Sequence, residues 1–369
     1  MDKRPSVQYN KLFLMTRKMT VALLFGGRSA EHEVSIRSAA AIYRNLDPAR
    51  YRILSLFIDR DGRWKRVASP LLTPDEGKRG RAFPFLPWEK RKNAPGLKAD
   101  IYFPVLHGTF GEDGTVQGLL EMAGVPYVGS GVLASSAGMD KAIAKILFAA
   151  RGLRVAPFRI VRDFEWAKDR EAILKRLRED FVAPFFVKPA NLGSSVGISK
   201  VKHPSRTAAA LNLAFRYDRK ILVEKGIDGR EIECSVLGCQ PPEASLPGEI
   251  FPRREFYDYR AKYDDEKTRY GIPADLPAPV VEEVRRQAVA AFEACEGEGL
   301  ARVDFLLEKG TGDLYVNEIN TMPGFTAISM YPKLWEVSGL PFARLVDRLI
   351  ALGMERHRLR KRCTARPPE

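Results

Sequence analysis

Val21-Ala-Leu-Leu-Phe25, closed by Gly26-Gly27, holds no polar side chain over five positions. A strand that alternates would have one wet face, so a continuous apolar run of this length reads as a strand buried on both faces of a parallel sheet. Helical periodicity follows over 35–46, and a second strand is expected at Tyr51–Ile58. This β-α-β start predicts a doubly wound α/β domain over 19–129. Residues 59–98 are rich in Pro, Gly and charge and read as a long connection, ahead of another buried strand at 101–106. Helices are expected at 116–123 and 141–151. A second region, 130–224, carries apolar Pro184–Val187 and a short strand at Ile221–Glu224. A third, 225–353, carries strands at Glu231–Leu237, 301–307 and 314–319, a helix at Val280–Cys295, and a polar-aromatic loop within 250–275.

The 369 residues are 45% hydrophobic and 29% charged, and fit two or three globular domains. The net charge of +14 raises the question of a nucleic-acid partner. Residues 1–18 and 354–369 each carry +4, leaving +6 for the body, and no basic stripe is interleaved with aromatics. The two ends read as a basic extension and a solvated basic tail, which give non-specific, salt-sensitive binding rather than a specific nucleic-acid site. No apolar run reaches the roughly 20 residues needed to span a bilayer, and Met1–Lys18 lacks a signal-peptide core. The four cysteines form no C-x-x-C pair, which suits a reducing, cytoplasmic setting.

Two late strands carry chemistry. In Ala301-Arg-Val-Asp-Phe305, Arg302 and Asp304 share one face while Val303 and Phe305 take the other. In Leu314-Tyr-Val-Asn-Glu-Ile-Asn320, Glu318 and Asn320 share a face in the same way. Two carboxylates and an amide oxygen on neighbouring strands make a hard-oxygen set suited to Mg²⁺; either strand alone reads more readily as a solvated end with an ion pair. Gly193-Ser-Ser-Val-Gly197 follows Lys188 and has the small residues that let backbone N–H groups converge on phosphate oxygens, although such loops are commonly plain turns. There is no G-x-x-x-x-G-K-[ST] element, so this is not a P-loop. Gly129-Ser-Gly-Val-Leu-Ala134 matches the dinucleotide fingerprint but lies far beyond the first strand, which argues against NAD. His107-Gly-Thr-Phe-Gly-Glu-Asp-Gly114 follows a strand, where ligand loops of open sheets sit. Phe256–Tyr263 crowds three tyrosines and a lysine into a loop that is costly to bury, and reads as a cover over a site.

Taken in order, Gly26-Gly-Arg-Ser-Ala-Glu-His-Glu-Val-Ser35, the 107–114 loop, Gly129–Ser135 with Met139-Asp-Lys141, Lys188–Gly197, Tyr257–Tyr263, Ala301–Asp304 and Asn317-Glu-Ile-Asn-Thr-Met-Pro-Gly324 resemble the motifs of the D-alanine–D-alanine ligases of the ATP-grasp superfamily. The resemblance runs from about residue 20 to about 352, and seven motifs in the family's order make it specific. It implies a three-domain ATP-grasp fold and ATP-dependent ligation of two D-alanines through a D-alanyl phosphate, for peptidoglycan precursors. It further implies ATP contacts at Lys141, Lys188, Ser195, Glu224, Lys225, Glu231 and Lys262. Two Mg²⁺ ions, replaceable by Mn²⁺, are implied at Asp304, Glu318 and Asn320. Oxyanion stabilisation falls to Arg302 and Gly324, a hydrogen-bonded triad to Glu31, Ser194 and Tyr263, and substrate contacts to His107, Ser329 and Met330. Relatives suggest a homodimer. Tyr263 favours an amine over D-lactate as the nucleophile. The chain departs from the family at Asn191-Leu192 and Arg260, where acidic residues are common.

Overall fold

The computed structural model describes residues 17–71, 80–82, 99–251 and 269–362. The first sheet is built from β1 (Met19–Gly26), β2 (Tyr51–Ile58), β3 (Trp64–Val67), β4 (Arg81–Ala82) and β5 (Ile101–Val105). Its order is β4-β3-β2-β1-β5, with β1 parallel to both β2 and β5. The pleat divides the apolar run. Val21, Leu23 and Phe25 pack with helix α1 (His32–Asn45) and the helix Phe342–Arg360, while Ala22 and Leu24 pack with α2 (Thr115–Met122). All five side chains are fully buried. Both faces of the sheet are therefore covered, which is why the run has no polar alternation. The connection expected over 59–98 contains β3 and β4, a short antiparallel edge whose brevity hides it from a pattern search.

A four-stranded antiparallel sheet follows, in the order β6-β9-β7-β8: β6 (Phe158–Arg162), β7 (Phe185–Pro189), β8 (Ser199–Val201) and β9 (Lys220–Lys225). Its core, with Trp166, Leu177 and Phe181, is separate from the others. The third sheet has the path β13-β12-β10-β14-β15, with β11 on β10. These strands are β10 (Gly229–Gly238), β11 (Glu243–Ala244), β12 (Gly248–Phe251), β13 (Arg269–Gly271), β14 (Gly299–Glu308) and β15 (Leu314–Asn320). The helix Ala278–Ala294 lies against it. Two helices bridge the sheets: α3 (Val132–Met139) and α4 (Lys141–Ala150). Asp140 caps α4 through the N–H groups of Ala142 and Ile143, both 3.1 Å away, and so fixes where Lys141 begins the helix.

One expectation is corrected. Residues 354–369 do not begin a solvated tail, because the helix Phe342–Arg360 continues through 354–360 and Arg356 is only 5% exposed. The Arg356 guanidinium donates to the carbonyls of Gly129 and Tyr127 and lies 4.0 Å from the Tyr127 ring centroid. Glu298 is 3.7 Å away. A charged group satisfied this way is buried at little cost. Arg356→Met should leave two buried carbonyls and Glu298 without it, costing on the order of 3 kcal/mol. Denaturant unfolding of the variant checks this, and an unchanged midpoint would show the contact to be idle.

Candidate active site

The 193–197 loop, the turn after β5, the start of α1 and the ends of β14 and β15 meet above the third sheet. Glu31 sits at the N-terminus of α1, with its backbone N–H 3.2 Å from Ser29 Oγ, which in turn donates to the His107 carbonyl at 2.6 Å. This chain of contacts holds Glu31 beneath two glycines. A Cβ on Gly108 would come within 2.7 Å of Glu31 Oε2, and one on Gly193 within 3.0 Å. Glycine at both positions lets the loops close on the carboxylate. Ser194 Oγ then donates to Glu31 Oε1 at 2.5 Å. Ser194 and Ser195 both hold left-handed backbone, φ 51° and 58°, which is uncommon for residues with a Cβ and marks a conformation imposed by its surroundings.

His107 is 3% exposed, with Nδ1 2.9 Å from the Met322 carbonyl and Nε2 3.0 Å from Ser38 Oγ. Burial opposes a charge on the ring, but Glu112, 3.7 Å away, and Glu31 outweigh it and raise its pKa. Burial in turn raises Glu112, against the pull of His107. This part of the site therefore keeps protons more readily than exposed groups do.

The late strands bring the residues of the oxygen set opposite one another in register. Asp304 on β14 lies directly opposite Glu318 on β15, and Arg302 opposite Asn320, with the register shifting just after Asp304. Such a bulge re-aims side chains locally. Asn320 Nδ2 is 3.1 Å from Asp304 Oδ2. Arg302 grips Asp304 through Nε and Nη2, both at 2.7 Å. Burial works against the guanidinium charge, yet Asp304 and Glu233 hold its pKa well above the usual value. Lys141 Nζ donates to the Leu192 carbonyl at 2.7 Å and stands 3.4 Å from Glu318, linking the serine loop to β15. Asn191 takes no free position either: its N–H and side-chain amide both donate to Asp218, at 2.8 and 3.0 Å.

Two cavities share this frame. The smaller, about 130 Å³, is bounded by His107, Arg302, Gly324, Ser329 and Met330. A cleft of about 830 Å³ between the second and third sheets contains Lys188, Ser195, Glu224, Lys225, Glu231 and Asp304. Lys141, Gly193, Ser194, Glu233, Ile250 and Glu318 line both. The cleft falls in the range of about 300–1,000 Å³ that holds organic ligands, whereas the smaller cavity suits a molecule of few atoms. Apolar walls at Phe186, Ile198, Ile227 and Leu306 give the cleft a place for a flat ring.

Glu224 is 2% exposed and paired with Lys188 and, at 3.0 Å, Lys145. Burial alone would raise its pKa, but the two ammoniums override this and hold it at about 2. Burial, reinforced by Lys188, lowers Lys145 despite Glu224. The sign for stability follows. A carboxyl depressed from 4.5 contributes fully above 4.5 and loses that contribution as pH falls through about 2. Glu224→Gln should therefore lower the melting temperature by a constant amount near neutrality, with the gap closing from pH 4.5 downward. A gap independent of acid pH would mean that the pair carries no charge.

Tyr263 and Lys262 lie outside the described residues, as does Arg260. Three residues of this frame escaped the sequence reading. Lys145 lies one helical turn beyond Lys141, Glu233 two residues beyond Glu231 on the same strand face, and Glu112 within the 107–114 loop. In each case the spacing was the available signal. Among the described residues no three His, Cys, Asp or Glu side chains form a metal cluster by themselves. Two carboxylates completed by the Asn320 amide oxygen nonetheless suit Mg²⁺, which keeps several water or phosphate ligands.

Comparison with known proteins agrees with this frame. The family model described as D-ala D-ala ligase N-terminus matches residues 20–130, and that described as D-ala D-ala ligase C-terminus matches 147–351. The chain is 52% identical to the D-alanine--D-alanine ligase of Solibacter usitatus over 343 residues, covering 92% of this chain and 97% of that one. It is 49% identical to that of Heliobacterium modesticaldum over 358 residues, covering 94% and 97%. The solved D-alanine-D-alanine ligase from Coxiella burnetii superposes with a TM-score of 0.83 at 39% identity, over 94% of this chain and 96% of that one. The VanG D-Ala:D-Ser ligase from Enterococcus faecalis does so with 0.82 at 33%, over 91% and 100%. Matches of this extent leave one assignment: the chain belongs to the D-alanine–D-alanine ligase family and has its ATP-grasp fold.

Proposed function

We propose that this chain joins two D-alanine molecules into D-alanyl-D-alanine at the expense of ATP, through a D-alanyl phosphate, with the residues described above in the roles their positions suit. The observation that carries the reading is the junction of the two cavities at Lys141, Ser194 and Glu318. A nucleotide in the larger cleft directs its terminal phosphate to that junction, where a small carboxylate in the other cavity meets it.

Glu224, Lys225 and Glu231 hold the nucleoside end, while Lys141, Lys188 and Ser195 hold phosphates and Lys262 approaches the phosphoryl group in transfer. Asp304, Glu318 and Asn320 hold two Mg²⁺ ions, which Mn²⁺ can replace. The ions supply charge neutralisation for phosphoryl transfer. The ammonium of the first D-alanine is held by Glu31, with His107 bounding its pocket. A carboxylate is a poor electrophile, so its conversion to an acyl phosphate precedes attack by the second amine. Arg302 and the Gly324 N–H donate to the oxyanion that this attack creates. Ser329 and the Met330 N–H position the second carboxylate. The Glu31–Ser194 pair, extended by Tyr263, orients the attacking amine and draws off its proton. Closure of the 193–197 loop keeps water from the acyl phosphate.

ADP release with ATP, Mg²⁺ and D-alanine alone tests the reading, with the dipeptide identified by mass. Turnover that appears only when D-serine or D-lactate is added would move the chain to a variant ligase, and absence of turnover with every pair would end the catalytic reading. No described helix is long and apolar enough to cross a membrane. The proposed dependence on ATP goes with a cytoplasmic enzyme, where ATP is found. The successive helices α2, α3 and α4 expose Met122, Leu133, Ile143 and Ile146, apolar surface that suits a second copy. Light scattering after size exclusion separates homodimer from monomer.

A further inference from the structure

Three carboxylates stand in one row across the third sheet. Glu233 on β10 pairs in register with Asp304 on β14, and Asp304 with Glu318 on β15. Like charges directly opposite one another on adjacent strands repel, so the row needs cations to persist. Two are at hand: Arg302 on Asp304, and Lys141 near Glu318. The Arg302 grip also reaches Glu233, whose Oε2 lies 3.0 Å from Arg302 Nε. Glu233 is 6% exposed and lines both cavities. Asp304 borders the nucleotide cleft, whereas Arg302 borders the smaller cavity.

Resting on the metal assignment proposed above, we infer that Glu233 is a positioning residue that retains Arg302 in the substrate cavity when a divalent cation displaces it from Asp304. The guanidinium occupies both oxygens of Asp304 with near-ideal bidentate geometry, so a cation bound there competes with it directly. Arg302 cannot shed its proton to ease that competition. Once displaced, it needs an anion in reach, and Glu233 already touches it. Charge balance supports the exchange. With a cation on Asp304 and Lys141 still beside Glu318, Glu233 is the carboxylate of the row left for Arg302. Loading the nucleotide cleft with metal thereby frees the donor fork of Arg302 to face the smaller cavity, without letting it drift.

The test is a double-mutant cycle read by cation binding rather than turnover. Free Mn²⁺ is measured by electron paramagnetic resonance in the presence of ADP, for the unaltered chain, Glu233→Gln, Arg302→Met and the double variant. Glu233→Gln removes the waiting anion, so Mn²⁺ binding should weaken about tenfold, the size of one close charge-pair coupling. In the Arg302→Met background nothing needs displacing, and the same substitution should change binding by less than about twofold. Equal weakening in both backgrounds would overturn the proposal, because Glu233 would then act as a ligand or through its field alone. Unchanged binding in both would overturn it as well. The double variant removes the Glu233–Arg302 pair together but leaves Asp304 without its guanidinium; thermal melts of all four chains identify any loss caused by misfolding. If the unaltered chain binds no Mn²⁺ with ADP, the metal assignment itself falls, which is distinct from failure of the Glu233 role.

Discussion

Glu318→Ala should lower ATP-dependent turnover by about a thousandfold or more while leaving the melting temperature close to that of the unaltered chain. Catalytic metal ions supply several kcal/mol of charge stabilisation, and each 1.36 kcal/mol is a factor of ten in rate. Glu318 lies opposite Asp304 at the edge of the cleft, and its side chain is 22% exposed. The strand's apolar contacts come instead from Leu314, Val316 and Ile319. Removing the carboxylate therefore takes nothing from the core, and Lys141 keeps its bond to the Leu192 carbonyl. ADP release and a thermal melt on the same preparation check both halves. Near-normal turnover at high Mg²⁺ would sink the metal role of this residue.

Arg302→Met should reduce kcat by about a hundredfold to a thousandfold with little change in KM for ATP, the loss expected for one oxyanion donor. The separation of parameters follows from placement, since Arg302 borders the smaller cavity and not the larger cleft. A second consequence distinguishes this variant from a simple activity loss. Without Arg302, Glu233 and Asp304 face each other across adjacent strands with no bridging cation. Breaking a buried ion pair in this way is destabilising, typically by about 3–5 kcal/mol. Added Mg²⁺ should then raise the melting temperature more in Arg302→Met than in the unaltered chain. A larger fall in KM-type binding of ATP than in kcat would instead place Arg302 with the nucleotide.

The first strand and the two late strands were legible in the sequence because each has an unambiguous period: none in Val21–Phe25, and two in Arg302–Asp304 and Glu318–Asn320. Their pairing in register is what brings the oxygen set together. Glu233 was passed over because β10 is buried on both faces from Ile232 to Gly238. In such a strand the inward and outward faces look alike, and the spacing of two from Glu231 was the one local signal. The helix beyond residue 353 was read as a tail because its residues are charged. Arg356 finds its carbonyls 227 and 229 positions away in the chain, a distance no local pattern conveys. The departure at Asn191 has a similar resolution, since Asp218 supplies an acidic group to that loop from 27 residues further on.

The placement of α4 bears on how chimeras of this family should be cut. Ala144 and Phe148 lie in the core of the third sheet with Val303 and Phe305, although α4 precedes every strand of the second sheet. The lysines of the same helix reach the other way, Lys145 to Glu224 on β9 and Lys141 to the Leu192 carbonyl. A graft that exchanged residues 130–224 as a block would pull Ala144, Phe148 and Leu153 from one core and import foreign side chains. Crossovers placed after α4, near 154–157, and just past β9, near 226–228, keep each core with its own side chains and leave Lys141 and Lys145 to meet the incoming segment.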